Sequence, residues 1–266
     1  MSVNLHYEDK ARSAGFSSVC GVDEAGAGPL MGPVYAAAVI LPEGCEIEGL
    51  NDSKKMTEKK REALFPVICE KAVAYAIASV DEKEIDATDI LSARMKAMQL
   101  AIDALQIPAD YALIDGNRDH GASAKITTPH ETIVGGDGAS LSIAAASVLA
   151  KVSRDHYVVE VLDPMYPRVS VRQAQGATGT KLHYQMLDQY GPSPVHRMTF
   201  LKNVGGAAMS TKQDGDWGRG AGRKVSERAR LPHRGTRVAL PLRRDRPHRR
   251  EGRRAVVRRG EAAHKF

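Results

Sequence analysis

The chain has 266 residues, 42% hydrophobic and 26% charged, enough for one sizeable core or one domain with an appendage. No apolar run approaches the roughly 20 residues of a membrane helix. The first ten residues lack the basic-then-apolar layout of a leader, and Cys20, Cys45 and Cys69 form neither a CxxC metal site nor a disulfide framework, so the expected setting is the cytoplasm. The net charge of +6 joins two unlike parts: from Thr211 onward 18 Lys/Arg stand against 6 Asp/Glu, whereas residues 1–210 carry 20 against 26. A basic tail on an acidic body suits either phosphate binding or plain solvation, and it is expected to be disordered.

Ser18 to Val22 is a β-prone run that ends at Asp23, and Val34 to Leu41 is a continuous apolar run of the kind buried on both faces. Between them lies a Gly- and Pro-rich connection, Ala25 to Pro33. Thr57 is placed to cap a helix that Pro66 is expected to kink or end. Ala72 to Val80 is a further strand. Ile85 to Leu105 predicts one amphipathic helix, with Met95, Met98, Ala101, Ile102 and Leu105 on its core face. Asp110 to Ile114 predicts a strand stopped by Asp115-Gly-Asn. Ser140 to Leu162 predicts a long helix whose many small residues imply close packing against its backbone, and Thr180 to Tyr190 a short one ended by Gly191. The expected fold is α/β, a mixed sheet flanked by helices with helices near its C-terminal end. No period organises residues 204–266.

Asp23-Glu24 and Asp115 each follow an apolar strand, and Asp137 stands in Gly-Gly-Asp-Gly before the small-residue helix. Acids at strand ends face the crevice where α/β sheets bind ligands. Side by side they would crowd negative charge that divalent cations relieve, and all-oxygen donors select Mg²⁺ or Mn²⁺ over zinc. Each Asp equally suits a turn or a helix cap, and the residues alone leave both roles open. Gly26-Ala-Gly28 with Gly32 has the wrong spacing for a dinucleotide loop, Pro29 interrupts it, and there is no GxxxxGK[ST]. Cys20 reads as a small buried thiol rather than a nucleophile. His183 and His196 read as surface or helix-end residues, with ligand or substrate contact the lesser alternative.

Gly21-Val-Asp-Glu-Ala-Gly-Ala-Gly-Pro-Leu-Met-Gly-Pro33 closely resembles the signature of bacterial ribonuclease HII. So do Asp52-Ser-Lys-Lys55, Ile114-Asp-Gly-Asn117, the stretch from Gly136 to Asp155, and Tyr190-Gly-Pro-Ser-Pro-Val-His-Arg197. The five blocks stand in the family's order across residues 18–203. The resemblance implies an RNase H-like catalytic domain over residues 1–203. The implied activity is hydrolysis of the RNA strand of RNA–DNA hybrids and incision at single ribonucleotides in duplex DNA, in DNA repair and replication. It further implies two Mn²⁺ or Mg²⁺ ions held by Asp23, Glu24, Asp115 and Asp137, with in-line attack of water giving 5′-phosphate and 3′-hydroxyl ends. The implied substrate contacts are the turn Gly26, Ala27 and Gly28, which reads the 2′-hydroxyl largely through its backbone, and Lys54, Lys55 and Arg197 on phosphates. A monomer with no membrane partner is expected.

The chain departs from the pattern in three places. The family's Gly-Arg-Gly turn reads Gly26-Ala27-Gly28, losing a guanidinium that a lysine could not simply replace. The Lys-Gly-Asp before the last acid reads Gly135-Gly136-Asp137. Residues 168–178 lack the family's aromatic, basic stretch and its Gly-Tyr-Gly-Thr tyrosine. Gln173-Ala-Gln175 encoded CAA GCA CAA reads Lys-His one base along, so this stretch and the Arg-rich residues 204–266 are read as out-of-frame translation. The departures motivate a rival reading, a catalytically impaired hybrid-binding protein of the same fold.

Overall fold

A computed structural model describes residues 3–118, 120–167 and 179–201 and the backbone of 237–239. The strand-like runs assemble into one mixed sheet of β1 (Val19–Ala25), β2 (Val34–Ile40), β3 (Ala74–Val80), β4 (Tyr111–Asp115), β5 (His130–Ile133) and a short β6 (Arg237–Ala239), in the order β5-β4-β1-β2-β3-β6. β1, β2 and β3 form an antiparallel meander, while β4 lies parallel to β1 and β5 parallel to β4. β6 adds antiparallel to β3, from Ile77↔Ala239 to Ser79↔Arg237, a strand where the sequence carries no strand period. The rest of the Arg-rich tail and the altered stretch at 168–178 lie outside the described residues.

Helix α4 (Ile90–Asp103) covers one face of the sheet and α5 (Leu141–Tyr157) the other. On the first face Cys20, Val22, Ala36, Ala38, Ala76 and Ala78 pack with Met95, Met98 and Ile102. On the second, Ala37, Val39 and Ile77 pack with Ala144, Ala145, Val148 and Leu149, backed by Leu64 and Ile68 of α2 (Glu58–Lys71). Strand β2 is thus buried on both sides, which is why its sequence does not alternate. The runs of alanine bring both helices close to the sheet. The Cys20 thiol is fully buried, and burial pushes its pKa up to about 12, so it is a core group and not a nucleophile.

Three local expectations change. β1 does not end at Asp23, because β2 continues to pair with it through Asp23↔Ala37, Glu24↔Ala36 and Ala25↔Tyr35. The run expected as one helix from Ile85 to Leu105 is two, α3 (Glu82–Ala87) and α4, because Asp89 caps a new start by accepting from the Ser92 amide and hydroxyl. α2 runs on through Pro66, which lies on the exposed side of the helix where water can serve the carbonyl that proline leaves unpaired. As expected, α5 starts at Ser140, whose side chain caps it, and leads into a π-helical turn at Val158–Leu162 and a short α6 (Asp163–Met165). α7 (Lys181–Tyr190), capped by Thr180 and closed by Gly191 at φ 72°, is followed by α8 (Met198–Leu201). Among the described residues no helix is long and apolar enough to cross a membrane.

The position of α5 is set from the N-terminal helix α1 (His6–Ser13). Its Glu8 is fully buried, and Oε1 accepts from the Ser142 amide at 2.8 Å, the Ser142 hydroxyl at 2.6 Å and the Ser140 hydroxyl at 2.7 Å. A carboxylate on the first turn of α5 satisfies an amide with no partner inside the helix and complements the helix dipole. Glu8→Ala is therefore expected to cost about 2–3 kcal/mol, read as a lowered urea midpoint; an unchanged midpoint would contradict this anchoring role.

His183, in the first turn of α7, and His196, just before α8, keep the expected helix-end positions but are buried rather than on the surface. Their Nε2 atoms lie 2.9 Å apart, and His196 Nδ1 accepts from the Ser193 amide at 2.8 Å, which leaves the proton of His196 on Nε2 as the donor to His183. Burial first, and then His183, lower the His196 pKa to about 4. The unfolded chain, with a pKa near 6.5, binds the proton more readily, so this neutral pair stabilises the fold above pH 6.5 and loses that contribution on acidification toward pH 4. Because Asp23 and Asp137, buried acids with raised pKa values, gain stability over the same range, the pair is read as the difference between wild type and His196→Gln. That difference is expected to fall by about 3 kcal/mol in melting curves from pH 7 to pH 4; a difference that does not change with pH would contradict this.

Candidate metal centre

The site is built where β1 and β4 end together. Side chains alternate along a strand, so Asp23 and Ala25 face α5 with Gly21, while Glu24 faces α4 with Val22. The parallel register Gly21↔Leu113 and Val22↔Ile114 brings Asp23 level with Asp115 at the end of β4. Asp137 comes from the 3₁₀ turn Gly136–Gly138 just before α5, entered through Gly135 in the left-handed conformation at φ 66°. Its amide donates to Asp115 Oδ1 at 3.3 Å.

What brings this turn onto the strand ends is Gly21. A Cβ there would lie under 3.0 Å from the Ser142 carbonyl carbon and the Ile143 amide nitrogen, so the first turn of α5 rests directly on the backbone of β1. The expected close packing around α5 is thus made by the sheet itself.

Asp23, Asp115 and Asp137 each offer a carboxylate oxygen, and these oxygens all lie within 4.8 Å of one another. Burial, then the charges of Glu24 and Asp115, push the Asp23 pKa well up; Asp137 is raised by burial and by Asp115 and Asp52. Lys54 reaches to 3.6 Å from Asp137 Oδ2. Partial loss of water lowers the pKa of this exposed lysine, but the surrounding carboxylates outweigh this and raise it. Glu24 is turned to the other face: its Oε1 accepts from Arg94 Nη2 of α4 at 2.8 Å, while Oε2 is buried and has no hydrogen-bond partner. Three crowded carboxylates and a fourth with an orphaned oxygen, joined by no histidine or cysteine among the described residues, fit a hard divalent cation such as Mg²⁺ or Mn²⁺.

Two groups here escape a reading by motif. Arg94 stands in the helical run as an ordinary polar position. Ser147 of α5, whose hydroxyl holds the Asp23 pKa down and lies 2.6 Å from the Ser53 hydroxyl, has as its only sequence signal a serine among the small residues of that helix.

Residues 20–203 match the family model of ribonuclease HII. The ribonuclease HII of Ruminiclostridium cellulolyticum is 48% identical over 199 residues, 75% of this chain and 76% of that one. That of Dechloromonas aromatica is 51% identical over 182 residues, 68% of this chain and 90% of the other. The chain belongs to the ribonuclease HII family. It is accordingly a metal-dependent endoribonuclease, acting on the RNA of RNA–DNA hybrids. In three dimensions it is similar to ribonuclease H2 from Pyrococcus horikoshii, with a TM-score of 0.56 and 26% identity over 69% of this chain and 93% of that one.

The residues expected to meet substrate separate into two groups. Lys54 and Lys55 are exposed beside the acids, Lys55 paired with Asp52 at 3.3 Å. Arg197 is different: it is fully buried, with Nε donating to the Gly32 carbonyl at 3.0 Å, Nη1 to Ala27 at 2.9 Å and Nη2 to Gly26 at 2.7 Å. A guanidinium so enclosed is not a phosphate contact; it is a support for the Gly26–Gly28 turn. Burial and the neighbouring Arg154 lower its pKa to about 9, so it keeps its charge at neutral pH.

Proposed function

We propose that the protein cuts the RNA strand of RNA–DNA hybrids and incises duplex DNA at single embedded ribonucleotides, using two divalent ions held by Asp23, Glu24, Asp115 and Asp137. The observation that carries this reading is the convergence of the Asp23, Asp115 and Asp137 oxygens within 4.8 Å of one another at the ends of parallel strands. Bound there, a pair of divalent ions supplies an activated water and neutralises charge on the leaving 3′ oxygen. The chain's own acids position and need not carry protons. Glu24, turned to the other face and held by Arg94 through one oxygen, keeps a second, unpartnered oxygen that would have to swing toward the cluster to join it. Lys54 and Lys55 border the acids as cations suited to phosphates, a sequence-independent attraction that weakens with salt. The amides of the Gly26–Gly28 turn, just beyond Asp23 and Glu24, are placed to read the 2′-hydroxyl that distinguishes RNA from DNA. Residues 1–203 form the catalytic unit in this reading, acting as a monomer.

The test is cleavage of a DNA duplex carrying one ribonucleotide, with Mg²⁺ or Mn²⁺. Cutting on the 5′ side of the ribonucleotide, leaving 3′-hydroxyl and 5′-phosphate ends, is expected. No cutting with either metal while hybrid binding persists would replace the proposal with the impaired-binder reading that Ala27 motivates. Equal cutting of an all-DNA duplex would remove the assigned substrate.

A further inference from the structure

The Gly26–Gly28 turn leaves β1 directly after Ala25, beside the acids, and a buried cation stands behind it. Arg197 is brought there by a short antiparallel pairing: its amide donates to the Leu30 carbonyl at 2.8 Å, the Gly32 amide to the Val195 carbonyl at 2.8 Å, and Met31 bridges to His196. Its guanidinium lies 5.1 Å from the centre of the Phe200 ring. The three carbonyls it holds belong to both ends of the connection between β1 and β2.

The direction of these bonds has a consequence for the other side of the turn. No peptide bond here is cis, and in a trans peptide the C=O and the following N–H point in opposite directions. With the Gly26 and Ala27 carbonyls drawn inward to Arg197, the Ala27 and Gly28 amides point outward. Gly28 is exposed, and a Cβ built on it meets nothing within 4 Å, so this outer side is open. Gly26 at φ 94° sits against the Arg154 side chain, where a Cβ would collide. Two successive outward amides over two buried guanidinium groups favour an electron-rich oxygen.

We propose that Arg197 is a specificity-determining positioning residue: from the buried side it fixes the Gly26–Gly28 turn so that the Ala27 and Gly28 amides donate to the ribose 2′-hydroxyl. This rests on the substrate reading given above and assigns the geometry of its recognition turn to one side chain. Lysine keeps the charge but lacks the planar fork needed to span three carbonyls, so Arg197→Lys separates charge from positioning.

Wild type and Arg197→Lys are compared by melting temperature, by calorimetric Mn²⁺ affinity, and by binding, with Ca²⁺ in place of Mn²⁺, of a duplex with one ribonucleotide against its all-deoxy twin. The expected result is a ribonucleotide preference reduced by at least about tenfold with Mn²⁺ affinity within about twofold of wild type. In the wild-type protein the Ala27 and Gly28 amide resonances are expected to shift with the ribonucleotide duplex and not with its twin, a measurement that holds even if the variant folds poorly. An unaltered preference in a folded variant, or amides indifferent to the ribonucleotide, overturns the assignment while the substrate reading stands. Parallel loss of Mn²⁺ and of both duplexes shows a merely structural role and overturns it too. A wild-type protein with no ribonucleotide preference overturns both readings.

Discussion

Asp23→Asn is expected to lose cleavage by about 10³-fold or more, beyond the 10–100-fold typical of groups that only support a metal ligand, and to melt higher than the wild type without metal. Both effects come from the same crowding. Asp23 is buried beside Glu24 and Asp115, and burial with these charges raises its pKa. A carboxyl whose folded pKa exceeds its unfolded one near 3.8 stabilises the fold when protonated and loses that contribution as the pH rises through the raised value. At neutral pH the metal-free cluster therefore works against folding, and removing one charge relieves it. Divalent cation relieves it in another way, so Mn²⁺ is expected to raise the wild-type melting temperature and to do so much less in the variant. Scanning calorimetry with EDTA and with Mn²⁺ checks both signs, and a variant that melts lower than wild type in EDTA would contradict this account.

Gly21→Ala is expected to be among the most damaging single-methyl additions in the chain, at about 3 kcal/mol or more. The added carbon meets the backbone of Ser142 and Ile143, which no side-chain rotation can move aside. To make room α5 must lift from β1, and its lifting carries Asp137 away from Asp23 and Asp115. Stability and Mn²⁺ affinity should therefore fall together. Two other glycines of the same region are the comparison. At Gly136 the closest atom to a new Cβ is the end of the Ile143 side chain at 2.6 Å, and at Gly28 nothing lies within 4 Å. The expected order of destabilisation is Gly21 well above Gly136, with Gly28→Ala near neutral; urea denaturation with parallel Mn²⁺ titration reads both. Equal costs at Gly21 and Gly28 would refute the close-contact explanation.

Much of the site is legible in the sequence because its acids obey local rules. Asp23 and Asp115 stand at the ends of apolar runs, Asp137 in a glycine turn before a helix of small residues, and strand ends gather at one rim of an α/β sheet. The buried sides of β2, α4 and α5 follow from continuous or periodic apolar residues in the same way. The side chains that differed from expectation are those whose partner is far away in the chain. Glu24 turns from Asp23 because β2 keeps β1 extended past the acid pair, which sends neighbouring residues to opposite faces. Glu8, on which the sequence bears no expectation, is buried because the first turn of α5 lays the Ser142 amide and two serine hydroxyls over it. Arg197 has the composition of a surface charge, yet three backbone carbonyls more than 160 residues earlier offer it better hydrogen bonds than water does, because they are fixed in place together. Sequence alone thus determined which residues are acidic, apolar or turn-forming and roughly where β1 to β4, α5 and α7 lie. Tertiary structure alone decided which charges are buried and what they hold, since the free energy of a buried charge depends on partners that only long-range packing brings within reach.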